Sequence, residues 1–215
     1  MASSFYPQWP HIRRISVANP PSVTGYQVQV TVLWMPGMKD DFSDIRFSDY
    51  ARTLPYWIET YTSRSSATVW VKLTETGEAA REFYLYYGNG AATSESSGTN
   101  VFEFFDDFDG TSLDTSKWTD TSSSGTRTIS NSIYHVSMSG TGSPTHNIIT
   151  AKTDTNDATV ITCARMRGTT QSEEDCSIRL GIKSSGTDVG AKLCLRPDGD
   201  GPTYNIRPLN EQVAW

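Results

Sequence analysis

Apolar and polar residues alternate with a period of two through most of this chain. That period places successive side chains on opposite faces of an extended strand. The clearest case is Tyr26–Leu33, where Tyr26, Val28, Val30 and Val32 share one face and Gln27, Gln29 and Thr31 share the other. Comparable runs lie at Arg14–Ala18, Ile45–Phe47, Tyr56–Tyr61, Thr68–Leu73 and Glu82–Tyr87. They continue at Ile133–Met138, Asn147–Thr150, Thr159–Met166, Ser177–Lys183, Lys192–Leu195 and Tyr204–Arg207. Turn chemistry separates them, as in Asn19-Pro20-Pro21, Met35-Pro36-Gly37 and Gly88-Asn89-Gly90. No helical stripe of useful length occurs. Many short strands with polar turns predict an all-β chain of antiparallel sandwiches.

The pattern breaks once. Residues 91–100 are small and polar and carry no apolar anchor, the composition of a linker or long surface loop. A new apolar cluster begins at Val101-Phe-Glu-Phe-Phe105. The expected organisation is a small jelly-roll-like β-sandwich over residues 1–92, a linker at 93–99, and a second sandwich over 100–215.

Alternation also sorts the aromatic residues. Val69, Val71 and Leu73 leave Trp70 and Lys72 opposite, while Leu54, Tyr56 and Ile58 leave Trp57, Glu59 and Tyr61 opposite. Phe83, Leu85 and Tyr87 leave Tyr84 and Tyr86 opposite. If these strands share a sheet, Trp57, Tyr61, Trp70, Tyr84 and Tyr86 form one outward aromatic face. Flat C–H faces of sugars bury well on such rings, with polar neighbours bonding the hydroxyls. The competing expectation is that another domain or a second subunit covers the face, because large exposed apolar patches are rare on monomers.

Charge and composition narrow the partners. A formal net charge of -6 argues against a nucleic-acid ligand, which needs a concentrated basic surface. No apolar stretch is long enough to span a bilayer. The N-terminal residues lack a basic start and apolar core, so no signal peptide is visible. Of three cysteines, Cys163, Cys176 and Cys194, an odd one is left over from any pairing, and all three read as small buried hydrophobes on strands. A Cys163–Cys176 bridge across a hairpin is the alternative. None of His11, His135 and His146 lies near a nucleophile elbow, and His135 reads as a half-buried structural residue. Asp106, Asp107, Asp109 and Asp114 crowd one Gly-containing run. Carboxylates near such a turn suit calcium, although the spacing is not that of a calcium loop and the same residues are ordinary turn material.

The ordered pieces Arg14-Ile-Ser-Val-Ala-Asn19, Asp41-Phe-Ser-Asp-Ile-Arg-Phe47, Leu54-Pro-Tyr-Trp-Ile-Glu59, Ala67-Thr-Val-Trp-Val-Lys72 and Tyr84-Leu-Tyr-Tyr-Gly-Asn89 resemble domain of unknown function 2341. That family occurs in multidomain surface proteins of bacteria and archaea and brings no established catalytic residues. Farther on, Phe105-Asp-Asp-Phe-Asp-Gly-Thr-Ser-Leu-Asp-Thr-Ser-Lys-Trp118 resembles the opening of concanavalin A-like (laminin-G or lectin-type) sandwiches. This second resemblance implies a domain of more strands than the remaining chain supplies. It also brings a structural calcium near Asp107 and Asp109 as the alternative to the main expectation, which is no cofactor. Hydrolases of that kind need two carboxylates across the scissile bond. The nearest cluster, Glu173-Glu174-Asp175, has Ile178 where the laminarinase-like pattern requires Glu.

These readings converge on a non-catalytic carbohydrate-binding or adhesion module, extracellular or on a cell surface. Its partners would be a glycan or surface polymer and neighbouring domains or further copies of the chain. The alternative is a virion or surface-layer structural protein that oligomerises. A glycoside hydrolase is the weaker third expectation.

Overall fold

A computed structural model describes residues 6–19, 21–120, 125–137, 148–150, 176–184, 187–198 and 201–208. The chain clusters into two compact units, residues 1–153 and 154–215. Antiparallel strands dominate both, and helix is nearly absent from the described residues, as the alternation predicts.

Seven strands open the first unit: β1 His11–Ser16, β2 Tyr26–Leu33, β3 Arg46–Ser48, β4 Thr53–Leu54, β5 Tyr56–Thr62, β6 Ser66–Leu73 and β7 Glu82–Tyr87. They form two antiparallel sheets, one in the order β1-β7-β3-β4 and the other β2-β6-β5. Both sheets feed one core, which gives a sandwich-like arrangement. On β6 the alternation is strict: Ala67, Val69, Val71 and Leu73 are all at most 3% exposed. Phe83 and Leu85 meet them from the other sheet, together with Phe47, whose ring lies 5.3 Å from Tyr56.

The most buried stretch does not alternate. Every residue from Phe42 to Asp49 is buried, charges included. Asp44, fully buried, accepts from the N–H of Lys39 (3.0 Å) and of Gly88 (2.7 Å). Its carbonyl accepts from the indole N–H of Trp9 at 2.6 Å. Asp49 accepts from the N–H groups of Ala51 and Arg52, both at 2.7 Å, and thereby shapes the turn into β4. Buried carboxylates persist here because backbone donors satisfy them.

Arg46, 2% exposed, is the busiest of these groups. One terminal nitrogen donates to the carbonyl of Ile45 at 2.7 Å and to the hydroxyl of Tyr56 at 3.1 Å. The other donates to the carbonyl of Thr93 at 2.6 Å and pairs with Glu95 at 3.0 Å. The guanidinium lies 5.2 Å from the Trp9 ring centre. One side chain thus joins the N-terminal turn, both sheets and the segment after β7.

That segment, residues 91–101, has linker composition yet is laced to the sheets. Besides Thr93 and Glu95, the carbonyl of Ala92 accepts from Lys39 Nζ at 3.0 Å. The N–H of Ser97 donates to the Tyr56 carbonyl at 2.9 Å, and Ser96 Oγ accepts from the N–H of Ile58 at 2.8 Å. The strap ends in one helical turn, α1 Gly98–Val101, with Val101 fully buried and its carbonyl bonded to Gln27 Nε2 at 3.1 Å. Gly88, which starts the exit from β7, has φ +99°, and a Cβ there would sit 2.7 Å from the His11 ring.

Past the strap lie β8 Trp118–Asp120, β9 Thr126–Ser130, β10 Ile133–Ser137 and β11 Ile148–Thr150. They pair two by two, β9 with β10 and β8 with β11. The second unit holds a three-stranded meander of β12 Cys176–Ser184, β13 Thr187–Asp198 and β14 Gly201–Pro208. Its register sets Cys176 opposite Leu195 and Cys194 opposite Ser177, so these two cysteines do not face one another across the ladder. Cys163, and with it the expected Cys163–Cys176 bridge, lies outside the described residues, as do the run Thr159–Met166, His146 and Glu173–Asp175.

Replacing Arg46 with Met would leave the Thr93 and Ile45 carbonyls without this donor and the Tyr56 hydroxyl with the Glu95 N–H at 3.2 Å in its place. We expect a loss of about 2–4 kcal/mol. Urea unfolding should show it as a lower midpoint at unchanged slope.

Candidate functional site

The five aromatic residues expected on one face do not share one. Trp57 and Trp70 are direct cross-strand neighbours on the outer side of the β2-β6-β5 sheet. A β-bulge then interrupts β5 between Ile58 and Thr60, with Glu59 as the extra residue. One inserted residue reverses parity, so Tyr61 pairs with Ala67, a core-facing position. The Tyr61 ring turns toward Phe42, 6.2 Å away, and stays 53% exposed at the end of the core. Tyr84 and Tyr86 belong to the other sheet, since β7 pairs with β1 and β3. Tyr86 is 2% exposed beneath Tyr6 and its hydroxyl accepts from Ser48 Oγ at 3.1 Å.

Both outer faces are covered by the chain itself. On the β5–β6 side, Phe105 packs 4.7 Å from Trp57, and Phe102 lies 5.7 Å from Trp70. The two phenyl rings stack on each other. Gly98 makes this packing work: a Cβ on it would clash with the Phe105 ring. On the β7 side, Tyr6 and Trp9 cover Tyr86 and Arg46. What stays open beside them is a polar relay in which Tyr84 donates to Tyr50 at 2.7 Å and Tyr50 donates to Glu82 at 3.0 Å. These bonds, to Tyr84 first and then Glu82, push the Tyr50 pKa up from its ordinary value.

The bulge opens a cleft of about 500 Å³. Asp41, Glu59, Thr60, Tyr61, Ser94 and Ser96 line it, over a floor that includes Ile58. Three elements supply these groups: the turn before the buried stretch, the bulged end of β5, and the strap. Glu59 is held in place by the Trp70 indole, which donates to Oε2 at 2.9 Å. Hydrogen bonding from Ser43, whose N–H lies 3.0 Å from Oδ1, holds the Asp41 carboxyl below the usual carboxylate range. The wall therefore combines carboxyl groups, hydroxyl groups and one exposed ring. Such a set accepts and donates hydrogen bonds to hydroxylated ligands. No lining residue is basic.

Alternation marked Glu59 and Tyr61 together, but neither Asp41 nor the strap serines carried any signal of a site. The bulge brings Tyr61 to the cleft and leaves Trp57, Trp70, Tyr84 and Tyr86 outside its lining.

The acidic run at 106–114 is partly engaged already. Asp106 accepts from the Trp118 indole at 2.6 Å and from the N–H of Phe108 at 2.9 Å, and Asp114 accepts from Ser116 at 2.6 Å. Asp107 is half-buried and Asp109 exposed. Among the described residues, no three His, Cys, Asp or Glu side chains come together as a metal-holding group. His135 is exposed rather than half-buried: among the described residues β9 and β10 pair only with each other, and its Nε2 lies 3.3 Å from the Ser130 carbonyl. His11 stacks on Tyr87 at 4.8 Å. No helix among the described residues is long and apolar enough to cross a membrane.

Residues 41–122 match the family described as Domain of unknown function (DUF2341). The matched span runs from Asp41 of the cleft through the buried stretch and the strap to the segment after β8. It accords with the first of the two resemblances. The concanavalin A-like resemblance finds no counterpart in these comparisons. Neither the curated proteins nor the solved structures yield a match.

Gly98→Ala should push Phe105 off Trp57. The expected result is a red-shifted tryptophan emission with faster acrylamide quenching, and overpacking should lower stability by about 1–3 kcal/mol. Unchanged emission and quenching would show that Phe105 does not cover Trp57.

Proposed function

We propose that the chain is a non-catalytic carbohydrate-binding or adhesion module of an exported, cell-surface protein, and that its ligand lies in the cleft beside the Glu59 bulge. The observation that carries this reading is the chemistry of that cleft. Carboxylates, hydroxyls and the half-exposed Tyr61 ring stand together around the bulged end of β5, where Glu59 is bonded to the Trp70 indole. Sugars are recognised by this combination of ring contact and dense hydrogen bonding. The aromatic faces contribute indirectly: with Trp57 and Trp70 under the strap, they hold the bulge rather than meet the ligand.

The rest of the reading rests on resemblance. Residues 100–215 are proposed to belong to a concanavalin A-like sandwich, beside the sandwich of the first ninety residues. Fold analogy is a weaker warrant than a site. It agrees, however, with a display role in which one module supports another.

Tyr61→Ala tests the reading at small structural cost, because the ring is 53% exposed. Immobilised neutral, amino and acidic polysaccharides should show retention of the native chain on at least one. The variant should bind that polymer about tenfold more weakly, equivalent to ~1.4 kcal/mol. No retention on any of the three classes, or full retention by the variant, would remove the cleft as a glycan site.

A further inference from the structure

The two sheets of the first ninety residues have four edges, and three are guarded. β4 is only two residues long. β5 is closed by the strap, through Ser97 to the Tyr56 carbonyl and Ile58 to Ser96. β1 carries the adjacent cations Arg13 and Arg14, which oppose close approach of a like strand. Short edges, covering segments and charges are the usual devices that keep a sheet from recruiting another chain.

Among the described residues β2 shows none of them. Its eight residues, Tyr26–Leu33, contain no charge and no proline, and they pair with β6 in unbroken register. Among the described residues β6 is its one ladder partner. The core row also weakens toward this edge. On β6, Val69 and Val71 are fully buried, whereas Val28 and Val30 on β2 are only partly buried. In the same row Tyr26 is 43% exposed, although Val32 near the other end is buried at 2%; Leu33, on the outer face, is 66% exposed. An unpaired backbone edge and an unfinished apolar row thus coincide on one strand.

We infer that β2 pairs antiparallel with β2 of a second copy of this chain, joining two three-stranded sheets into one of six. The strand's own sequence selects that occupant. A two-fold axis at Gln29 sets Gln29 against Gln29, Gln27 against Thr31, Val28 against Val30 and Tyr26 against Val32. Polar side chains then meet polar ones on the outer face, apolar meet apolar on the inner face, and no like charges oppose. Moving the axis to Val30 still sets Val28 against Val32 on the inner face and Gln29 against Thr31 on the outer face, but it places Gln27 against Leu33. Because each copy uses the same edge, the contact closes at a dimer instead of propagating.

The test uses the full chain under reducing conditions, so that no cysteine bridge contributes. Light scattering over a concentration series should show a mass moving toward twice that of the chain. In the Gln29→Lys/Thr31→Lys double variant, lysine faces lysine across either axis, and the dissociation constant should rise about tenfold or more. Hydrogen exchange on the native chain gives an independent reading: amides of 26–33 should gain protection as concentration rises, while those of β1 should not. A monomer at every concentration, a dimer that survives both lysines, or exchange at 26–33 that ignores concentration would each overturn the inference. Glycan retention by a monomeric double variant would leave the cleft reading intact.

Discussion

The first unit is organised by one buried cation. The guanidinium of Arg46 is the point at which the Trp9 turn, the Tyr56 hydroxyl of the opposite sheet and the Thr93–Glu95 strap meet. Burying a charge is unfavourable unless its hydrogen bonds are supplied. The fork of arginine spreads that demand over several fixed directions, which a lysine ammonium could not do. Its acceptors come from its own stretch (the Ser43 and Ile45 carbonyls), from the opposite sheet (the Tyr56 hydroxyl) and from the strap (the Thr93 carbonyl and the Glu95 carboxylate), so serving the terminal nitrogens also fixes the chain path, while Nε stays buried without a partner among the described residues. Glu95, 61% exposed by its side chain, sits at the outer end of the set and adds less than the buried carbonyls.

From this constraint the covering of both sheets follows. With Thr93 and Glu95 held, the strap runs along β5 and delivers Gly98, Phe102 and Phe105 onto Trp57 and Trp70. With Trp9 held over Arg46 and bonded to the Asp44 carbonyl, Tyr6 comes to rest on Tyr86. The broad aromatic surfaces are thereby spent on internal packing. Among the described groups left to solvent are the bulge cleft, the Tyr50–Tyr84 relay and the β2 edge.

How far this could be read from residues alone depends on what holds each part. Strands whose one face is apolar were legible: Tyr26–Leu33 and Glu82–Tyr87 coincide with β2 and β7. The strap was not, because polar hydrogen bonds rather than apolar contacts anchor most of it, and its composition is that of a free linker. Nor was the burial of Asp44, Arg46 and Asp49, since charged residues go inside only when distant partners complete them. The aromatic face failed for two separate reasons. A bulge at Glu59 shifts Tyr61 by one parity step, and alternation cannot say which strands share a sheet. Only the resemblance carried by Asp41–Phe47 hinted that this polar run belongs to the framework.

The cleft and the free edge bear on each other. A glycan in the proposed cleft would bury little apolar area, and its hydrogen bonds would replace bonds to water, so each site on its own would be weak. Weak sites gain when several are presented together at a spacing a polymer can bridge. In the order β2-β6-β5 the cleft lies on the strand farthest from β2. Pairing two copies through β2 therefore puts the two clefts at opposite ends of a six-stranded sheet, five interstrand steps or roughly 24 Å apart. A repeating glycan can span that distance, whereas a free monosaccharide cannot. The edge left unguarded is thus the one whose pairing leaves both clefts open, and the guarded edge of β5 is the one whose pairing would close them.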